Sequence, residues 1–142
     1  MSKSIFLAAA LTAFAGLVQA DERQPAPVGA EAYIISPADG ATVRSPVTVR
    51  FGLKGMGIAP AGIKVDNTGH HHLFVDTEMP ADLSKPIPAV EGKILHFGKG
   101  QTETSLTLKP GRHTLQLLLG DYLHVPHNPA VESKQITITV SD

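Results

Sequence analysis

The chain has 142 residues, with twelve Lys and Arg, 13 Asp and Glu, seven His, and neither Cys nor Trp. This length fits one compact domain and excludes most multidomain enzymes, while the near-neutral charge argues against a nucleic-acid or anionic-membrane partner. Because cysteine is absent, disulfides, thiolate metal sites, cysteine nucleophiles and iron–sulfur clusters are excluded as well.

The first 20 residues have the pattern of a cleavable export signal. Lys3 gives a basic start, the apolar stretch from Ile5 to Val18 is too short to span a membrane, and small residues precede a cleavage point after Ala20. We therefore expect a periplasmic protein, with secretion as the alternative, whose mature chain does not insert into a membrane. That mature chain carries eleven basic and 13 acidic residues.

Residues 21–30 contain two prolines and are expected to form an extended leader, followed by a single β-sandwich domain over residues 31–142. From residue 31 onward, apolar side chains recur with the period of two that a half-buried strand requires. Tyr33 and Ile35 begin a short strand, and residues 47–53 alternate between apolar and polar or small side chains. Residues 55–69 carry four glycines and a proline, which predicts a long loop.

The rest of the domain supplies further strands of the same kind. They are predicted at His70 to Asp76, Ile94 to Phe97, Thr104 to Lys109, His113 to Gly120 and Ile136 to Val140. Within the strand His113 to Gly120, Leu115, Leu117 and Leu119 are expected to face the core, and Leu118 to face outward. About seven short strands with glycine and proline turns favour an all-β fold, an antiparallel two-sheet sandwich of immunoglobulin-like type. A small β-barrel is the alternative.

The predicted topology brings six of the seven histidines to one end of the sandwich. If the strand 70–76 lies antiparallel beside the strand 113–120, the start of the first meets the end of the second. The tight turn at Pro110 places the start of the strand 104–109 at that end too, and His96 lies just before this start. The residues expected there are His70, His71, His72, His96, His124, His127 and Asp121, whereas Asp76 and His113 are expected at the opposite end.

Several of these histidines could bind one metal ion. Strand alternation places His70 and His72 on one face, about 6 to 7 Å apart at the backbone, and His71 on the other face. Neutral imidazole suits copper, zinc and nickel, so an exported chain without thiols predicts a copper(II) or zinc site. Asp121 is expected to ligate the metal or to orient a ligand histidine. The predicted ligands are His70, His72, His96, His124 and His127.

The histidines also allow a structural interpretation, in which a polar network holds the loops at one end of the sandwich. None of the spacings matches a strong ligand signature such as HExxH or CxxC. The chain has no GxxxxGK[ST] phosphate loop and no GxSxG nucleophile motif, so neither a nucleotide cofactor nor an enzyme is expected. A metal-dependent activity stays open, and the alternative function is a metal-free interaction domain that binds an envelope protein, a peptide or a glycan.

Three motifs occur in order: DNTGHHHL at residues 66–73, HFGKGQTET at 96–104, and PGRHTLQLLLGD at 110–121 followed by HVPH at 124–127. Together they resemble a bacterial exported family catalogued as domain of unknown function 4399. The resemblance implies a small periplasmic domain and brings no established activity. Copper-zinc superoxide dismutase also has an HxH pattern, but its disulfide and zinc loop have no counterpart here. The sequence therefore predicts an exported binding module with a histidine-rich metal site.

Overall fold

The computed structural model describes residues 21–142, so the export signal expected at residues 1–20 lies outside the described residues. Nine β-strands and no α-helix occur in the described range. Their bounds are β1 (Glu31–Ser36), β2 (Thr42–Arg44), β3 (Val47–Lys54), β4 (Gly57–Ile58), β5 (Thr68–Val75), β6 (Ile94–His96), β7 (Glu103–Leu106), β8 (Gly111–Gly120) and β9 (Ile136–Ser141). Over residues 21–142, no long apolar helix of the kind that crosses a membrane is found.

The strands form two sheets packed as a sandwich, which confirms the predicted all-β fold. The smaller sheet has the strand order β1-β3-β7, and the larger has the order β2-β9-β8-β5-β4, with β6 also paired to β5. One of the two sheets curls into a half-barrel. The larger sheet has an inner face toward the smaller sheet and an outer face that connecting loops cover.

The structure has nine strands instead of the expected seven or so because two very short strands add to the larger sheet. β2 pairs in parallel with β9, and β4 pairs in parallel with β5. At three and two residues, β2 and β4 show too little alternation for periodicity to indicate them. β4 lies inside the segment predicted as a long loop, and β5 begins at Thr68.

The main core lies between the two sheets and follows the alternation of the strands. In β3, Val47, Val49 and Phe51 are buried while Thr48 and Arg50 are exposed. The inward residues of β5, β8 and β9 meet them from the larger sheet, and among these are Leu73, Val75, Leu115, Leu117, Leu119, Ile138 and Val140. Burial of these side chains, at roughly 25 cal/mol per Å² of apolar surface, stabilises the sandwich.

The outer face of the larger sheet is buried as well. Leu118 faces away from the main core, as alternation predicts, but none of its surface is exposed. It packs with Phe74, Ile87 and Ile94 in a second apolar cluster, which the partly buried Met79 helps to cover. The loops that follow β5 and β8 supply this cover, so β5 is buried on both faces and a polar side chain on either face is removed from water.

The register between β5 and β8 sets the positions of the histidines. The two strands are antiparallel, with His70 opposite Gly120 and Val75 opposite Leu115, which confirms the predicted pairing. The start of β5 therefore meets the end of β8. The leader packs at the same end, where the backbone N–H of Ala26 donates to the carbonyl of Asn128 at 3.1 Å.

Candidate metal centre

The centre is built on β5, whose consecutive histidines point to opposite faces. His70 and His72 lie on the outer face of the larger sheet, and both are buried. His71 lies on the inner face, where its ring packs against Phe51 with centroids 5.2 Å apart. The opposite faces confirm the strand alternation predicted for the three histidines, and neither ring nitrogen of His71 has a hydrogen-bond partner among the described residues.

β6 brings the third histidine. This short strand pairs antiparallel with β5 and places His96 directly opposite His72. Cross-strand neighbours have their Cβ atoms about 5 Å apart, so the two imidazoles meet on the same face. His96 is exposed and lies at the edge of the centre.

The turn after β8 brings the fourth histidine. His124 adopts a left-handed backbone conformation with φ of 70°, which is uncommon for a residue other than glycine. Asp121 holds this turn: its Oδ1 accepts hydrogen bonds from the backbone N–H groups of Leu123 at 2.8 Å and Val125 at 2.9 Å. Its carbonyl accepts a further bond from the N–H of His124 at 2.9 Å. Asp121 thus positions His124 through the backbone.

His70, His72, His96 and His124 form the four-histidine cluster. Their six ring-centroid separations range from 4.8 to 6.0 Å. The Nε2 atoms of His70 and His96 lie 3.2 Å apart. One nitrogen from each of His70, His96 and His124 lies within 4.8 Å of the others. These three residues come from three separate elements of the chain.

The electrostatics of the cluster favour neutral imidazoles. Burial, together with the neighbouring rings of His124 and His96, lowers the pKa of His70 to about 4. Burial and the same kind of repulsion lower the pKa of His72 to about 3. The pKa of His96 is also lowered, by the partial desolvation of its ring at the edge of the cluster and by His124. At neutral pH His70, His72 and His96 are therefore uncharged, and a neutral imidazole is the form that binds metal.

Two glycines make room for the rings. A Cβ atom on Gly98 would lie 2.3 Å from Cε1 of His96, and one on Gly120 would lie 2.8 Å from Cε1 of His72. Both contacts are closer than real Cβ atoms make, so a side chain at either position would displace an imidazole. In the sequence, Gly98 stands out only as part of the motif HFGKGQTET. Its position two residues after a candidate ligand is the one signal that points to this role.

The fifth predicted ligand, His127, lies outside the four-histidine cluster. It is buried, and its Nε2 donates to the carbonyl oxygen of Thr68 at 3.1 Å. The structure thus brings together His70, His72, His96 and His124, and it places His127 and Asp121 beside them in the supporting loop. Met56 and Met79 pack against the apolar clusters.

The remaining histidine, His113, lies at the opposite end of β5 and β8, as predicted. Its Nδ1 lies 2.7 Å from Oδ2 of Asp76, and its Nε2 lies 2.8 Å from the carbonyl oxygen of Lys109. Hydrogen bonds to these two acceptors raise the pKa of His113. Since both ring nitrogens are engaged, His113 has none left to bind a metal or to act as a base.

Comparison with known proteins identifies a family but no activity. The profile of the family described as Domain of unknown function (DUF4399) matches residues 49–141, a range that includes all seven histidines. This match confirms the resemblance seen in the three sequence motifs. No curated protein and no solved structure matches the chain.

Proposed function

We propose a function for this chain, which belongs to the family described as Domain of unknown function (DUF4399), from the chemistry of the four-histidine cluster. The protein is an exported, periplasmic binding module that holds one transition-metal ion, copper(II) or zinc. The observation that carries this proposal is the convergence of His70, His96 and His124, each with one nitrogen within 4.8 Å of the others. They come from a strand, a second strand and a turn, so local sequence alone does not bring them together.

A purely structural network of hydrogen bonds explains this arrangement less well. In such a network each buried nitrogen needs a donor or an acceptor, because an unpaired buried polar group costs about 1 to 3 kcal/mol. The described residues offer the cluster one bond, between His70 and His96. Among residues 21–142, Nδ1 of His70 and both ring nitrogens of His72 are buried and have no hydrogen-bond partner. A metal ion would supply a partner for one nitrogen of each ring that binds it.

The ligand chemistry narrows the choice of ion. Imidazole nitrogen binds copper(II) and zinc well, whereas the softest ions prefer thiolate or thioether ligands. The chain has no cysteine, and the partly buried Met56 and Met79 pack against apolar clusters. No carboxylate belongs to the group of converging ligand atoms found among residues 21–142, which disfavours calcium and magnesium.

Metal titration of the protein without an affinity tag tests the proposal. Copper(II) and zinc are added at pH 7.5 to the parent, to a His70→Ala/His96→Ala variant, and to His113→Ala as the matched control. We expect one equivalent to bind with submicromolar Kd to the parent and to His113→Ala, and at least 100-fold weaker binding to the double variant. Equal binding by all three proteins, or none by the parent, would contradict the proposal.

A metal-free interaction domain is the second candidate function, and one feature favours it. A cavity of about 770 Å³ lies between the leader, the segment 81–84 and the turn after β8, and its lining includes Arg23, Asp82 and Leu123. None of the cluster histidines lines this cavity. If the parent binds no metal, the next experiment is to screen a peptide or glycan library for ligands that bind the parent and not an Arg23→Ala/Leu123→Ser double variant.

A further inference from the structure

We infer that His72 is the fourth protein ligand, so that the ion lies in a closed tetrahedral set of four imidazoles suited to zinc(II). This inference rests on the proposed metal binding and deepens it. It fixes the coordination geometry and the preferred ion, and it leaves no coordination position for a substrate.

The distances between the four rings carry the argument. With metal–nitrogen bonds of about 2.0 to 2.1 Å, tetrahedral imidazoles have all six centroid separations near roughly 5.2 Å. A square-planar set instead has four separations near roughly 4.5 Å and two near roughly 6.4 Å. In the cluster, five separations lie between 4.8 and 5.1 Å, and the sixth is 6.0 Å. The arrangement is close to a tetrahedron with one lengthened edge.

The lengthened edge joins His72 and His124. His72 is also the member whose nitrogens fall outside the group that lies within 4.8 Å. Its ring centroid is nevertheless 4.9 Å from that of His70 and 5.1 Å from that of His96. A rotation of the His72 side chain toward His124 would shorten this edge, so we infer that metal binding draws this ring inward.

The surroundings of His72 support the same role. The side chain is 1% exposed, and both of its ring nitrogens are buried with no partner among residues 21–142. The strand β8 runs behind it, where the missing side chain of Gly120 leaves room for the ring. A metal ion would pair one of these two nitrogens. Because His71 is buried and unpaired in the same way, it is the position of His72 beside three other imidazoles that assigns it to the metal.

The geometry decides between the candidate ions. Zinc(II) has a filled d shell and no geometric preference of its own, so it accepts a tetrahedron readily. Copper(II) and nickel(II) favour square-planar or tetragonal sets. Catalytic zinc sites keep three protein ligands and one open position, whereas four protein ligands close the site. The four-histidine cluster is therefore better suited to binding zinc than to metal-dependent catalysis.

Cobalt(II) substitution tests the inference, because tetrahedral cobalt(II) absorbs visible light far more strongly than five- or six-coordinate cobalt(II). The proteins compared are the parent, His72→Leu, and His71→Leu as the matched control. His71 is the adjacent residue, is equally buried and also lacks partners for its nitrogens, but it faces the inner core. We expect strong absorption from the parent and His71→Leu, and a weak spectrum that shifts on addition of azide from His72→Leu.

The possible failures are distinguishable. If the parent binds neither cobalt(II) nor zinc, the proposed function itself is wrong. If the parent binds cobalt(II) but gives a weak spectrum that azide perturbs, or if His72→Leu keeps the parent spectrum, His72 is not a ligand and the inference is overturned. Circular dichroism of each metal-free variant checks that the β-sandwich is formed.

Ion competition provides an independent test on the parent protein. When zinc(II) and nickel(II) compete for the site at pH 7.5, we expect zinc to be preferred at least tenfold, because nickel gains nothing from a tetrahedral set. Equal affinity, or a preference for nickel(II), would overturn the tetrahedral assignment.

Discussion

Histidines occupy both ends of the β5–β8 strand pair, and the two ends use them in opposite ways. At one end, four imidazoles crowd together, and their burial and mutual repulsion lower the pKa of His70 to about 4 and of His72 to about 3. At the other end, one histidine lies between the Asp76 carboxylate and the Lys109 carbonyl, which raise the pKa of His113. The same residue type is thus kept neutral in one region and favoured as a cation in the other.

The difference shows what each region can do. Both ring nitrogens of His113 already have hydrogen-bond acceptors, so this side chain needs no further ligand. It links β8 to the residue that follows β5. In the cluster, Nδ1 of His70 and both ring nitrogens of His72 have no partner among residues 21–142, and one nitrogen each of His70, His96 and His124 lies within 4.8 Å of the others. A cluster that is incomplete without a ligand costs stability in the metal-free protein. Such a cost is typical of a binding site rather than of a structural network.

The largest expected effect is stabilisation by zinc. At a free zinc concentration about 1,000 times Kd, binding stabilises the folded state by about 4 kcal/mol. We expect the parent to gain roughly 10 °C or more in Tm and a chelator to abolish the gain. His113→Ala should lower the Tm of the metal-free protein but keep the zinc increment, whereas His96→Ala should lose the increment. If the two variants respond alike to zinc, the two ends do not differ in function.

The pH dependence of metal-free stability should also differ between the two ends. His70, His72 and His96 have folded pKa values below the unfolded value, so the unfolded state takes up protons first and stability falls as the pH drops from about 6.5 toward 4. We expect the parent to lose at least about 2 kcal/mol between pH 8 and pH 5 in chemical denaturation. In His72→Leu this loss should be smaller. An unchanged loss would show that His72 is not kept neutral by its surroundings.

The contribution of His113 to stability should change with pH in the opposite direction. Its folded pKa is raised, so its contribution is fully present below the unfolded pKa of about 6.5 and is lost as the pH rises through the folded value. His113→Gln should therefore destabilise the protein by about 1 kcal/mol at pH 5.5 and by less at pH 8.5. Denaturant curves at the two pH values measure this difference. A larger effect at the higher pH would rule out a charged pair with Asp76.

Gly98→Ala should weaken metal binding without removing a ligand. Since its Cβ would lie 2.3 Å from Cε1 of His96, the imidazole must move away from the cluster. We expect an affinity loss of about tenfold, or about 1.4 kcal/mol, by titration. Gly57→Ala is the matched control, because a Cβ there would make only an ordinary contact, 3.6 Å from Cγ2 of Thr68. Similar affinities for both variants would mean that the position of His96 does not matter.

The smallest expected effect concerns His124, where function and stability should separate. Glycine adopts the left-handed conformation of this residue without strain, so His124→Gly should raise the stability of the metal-free protein by up to about 1 kcal/mol. The same variant should bind metal more weakly. Thermal unfolding with and without zinc measures both effects. A loss of metal-free stability would indicate that the ring of His124 supports the fold.

Most of the fold can be predicted from the sequence, because the alternating pattern of the long strands indicates which face of each strand is buried. The pairing of the His70 strand with the His113 strand followed from topology alone, and it placed the two groups of histidines at opposite ends. Short strands such as β2 and β4 carry no such pattern. The burial of Leu118 cannot be predicted from the strand pattern either, because it depends on loops that fold back over the outer face of the larger sheet.

The site was predictable only in part. Strand alternation separates His71 from His70 and His72, as the structure shows. In contrast, the positions of His124 and His127 depend on a turn whose left-handed residue no local pattern requires. The roles of Asp121 and Gly98 also depend on tertiary structure. Asp121 positions His124 through hydrogen bonds to the backbone of the turn, and Gly98 leaves space for the ring of His96. Such contacts are set by tertiary packing and cannot be read from spacing.

The central claim is that one end of the strand pair binds a metal ion and the other does not. Nitrogen-15 NMR of the histidine side chains tests it directly, because a nitrogen that binds zinc changes its chemical shift and stops titrating. On addition of one equivalent of zinc, we expect His70, His72, His96 and His124 to shift while His113 stays unchanged. Unchanged signals from the cluster, or an equal response from His113, would contradict the account.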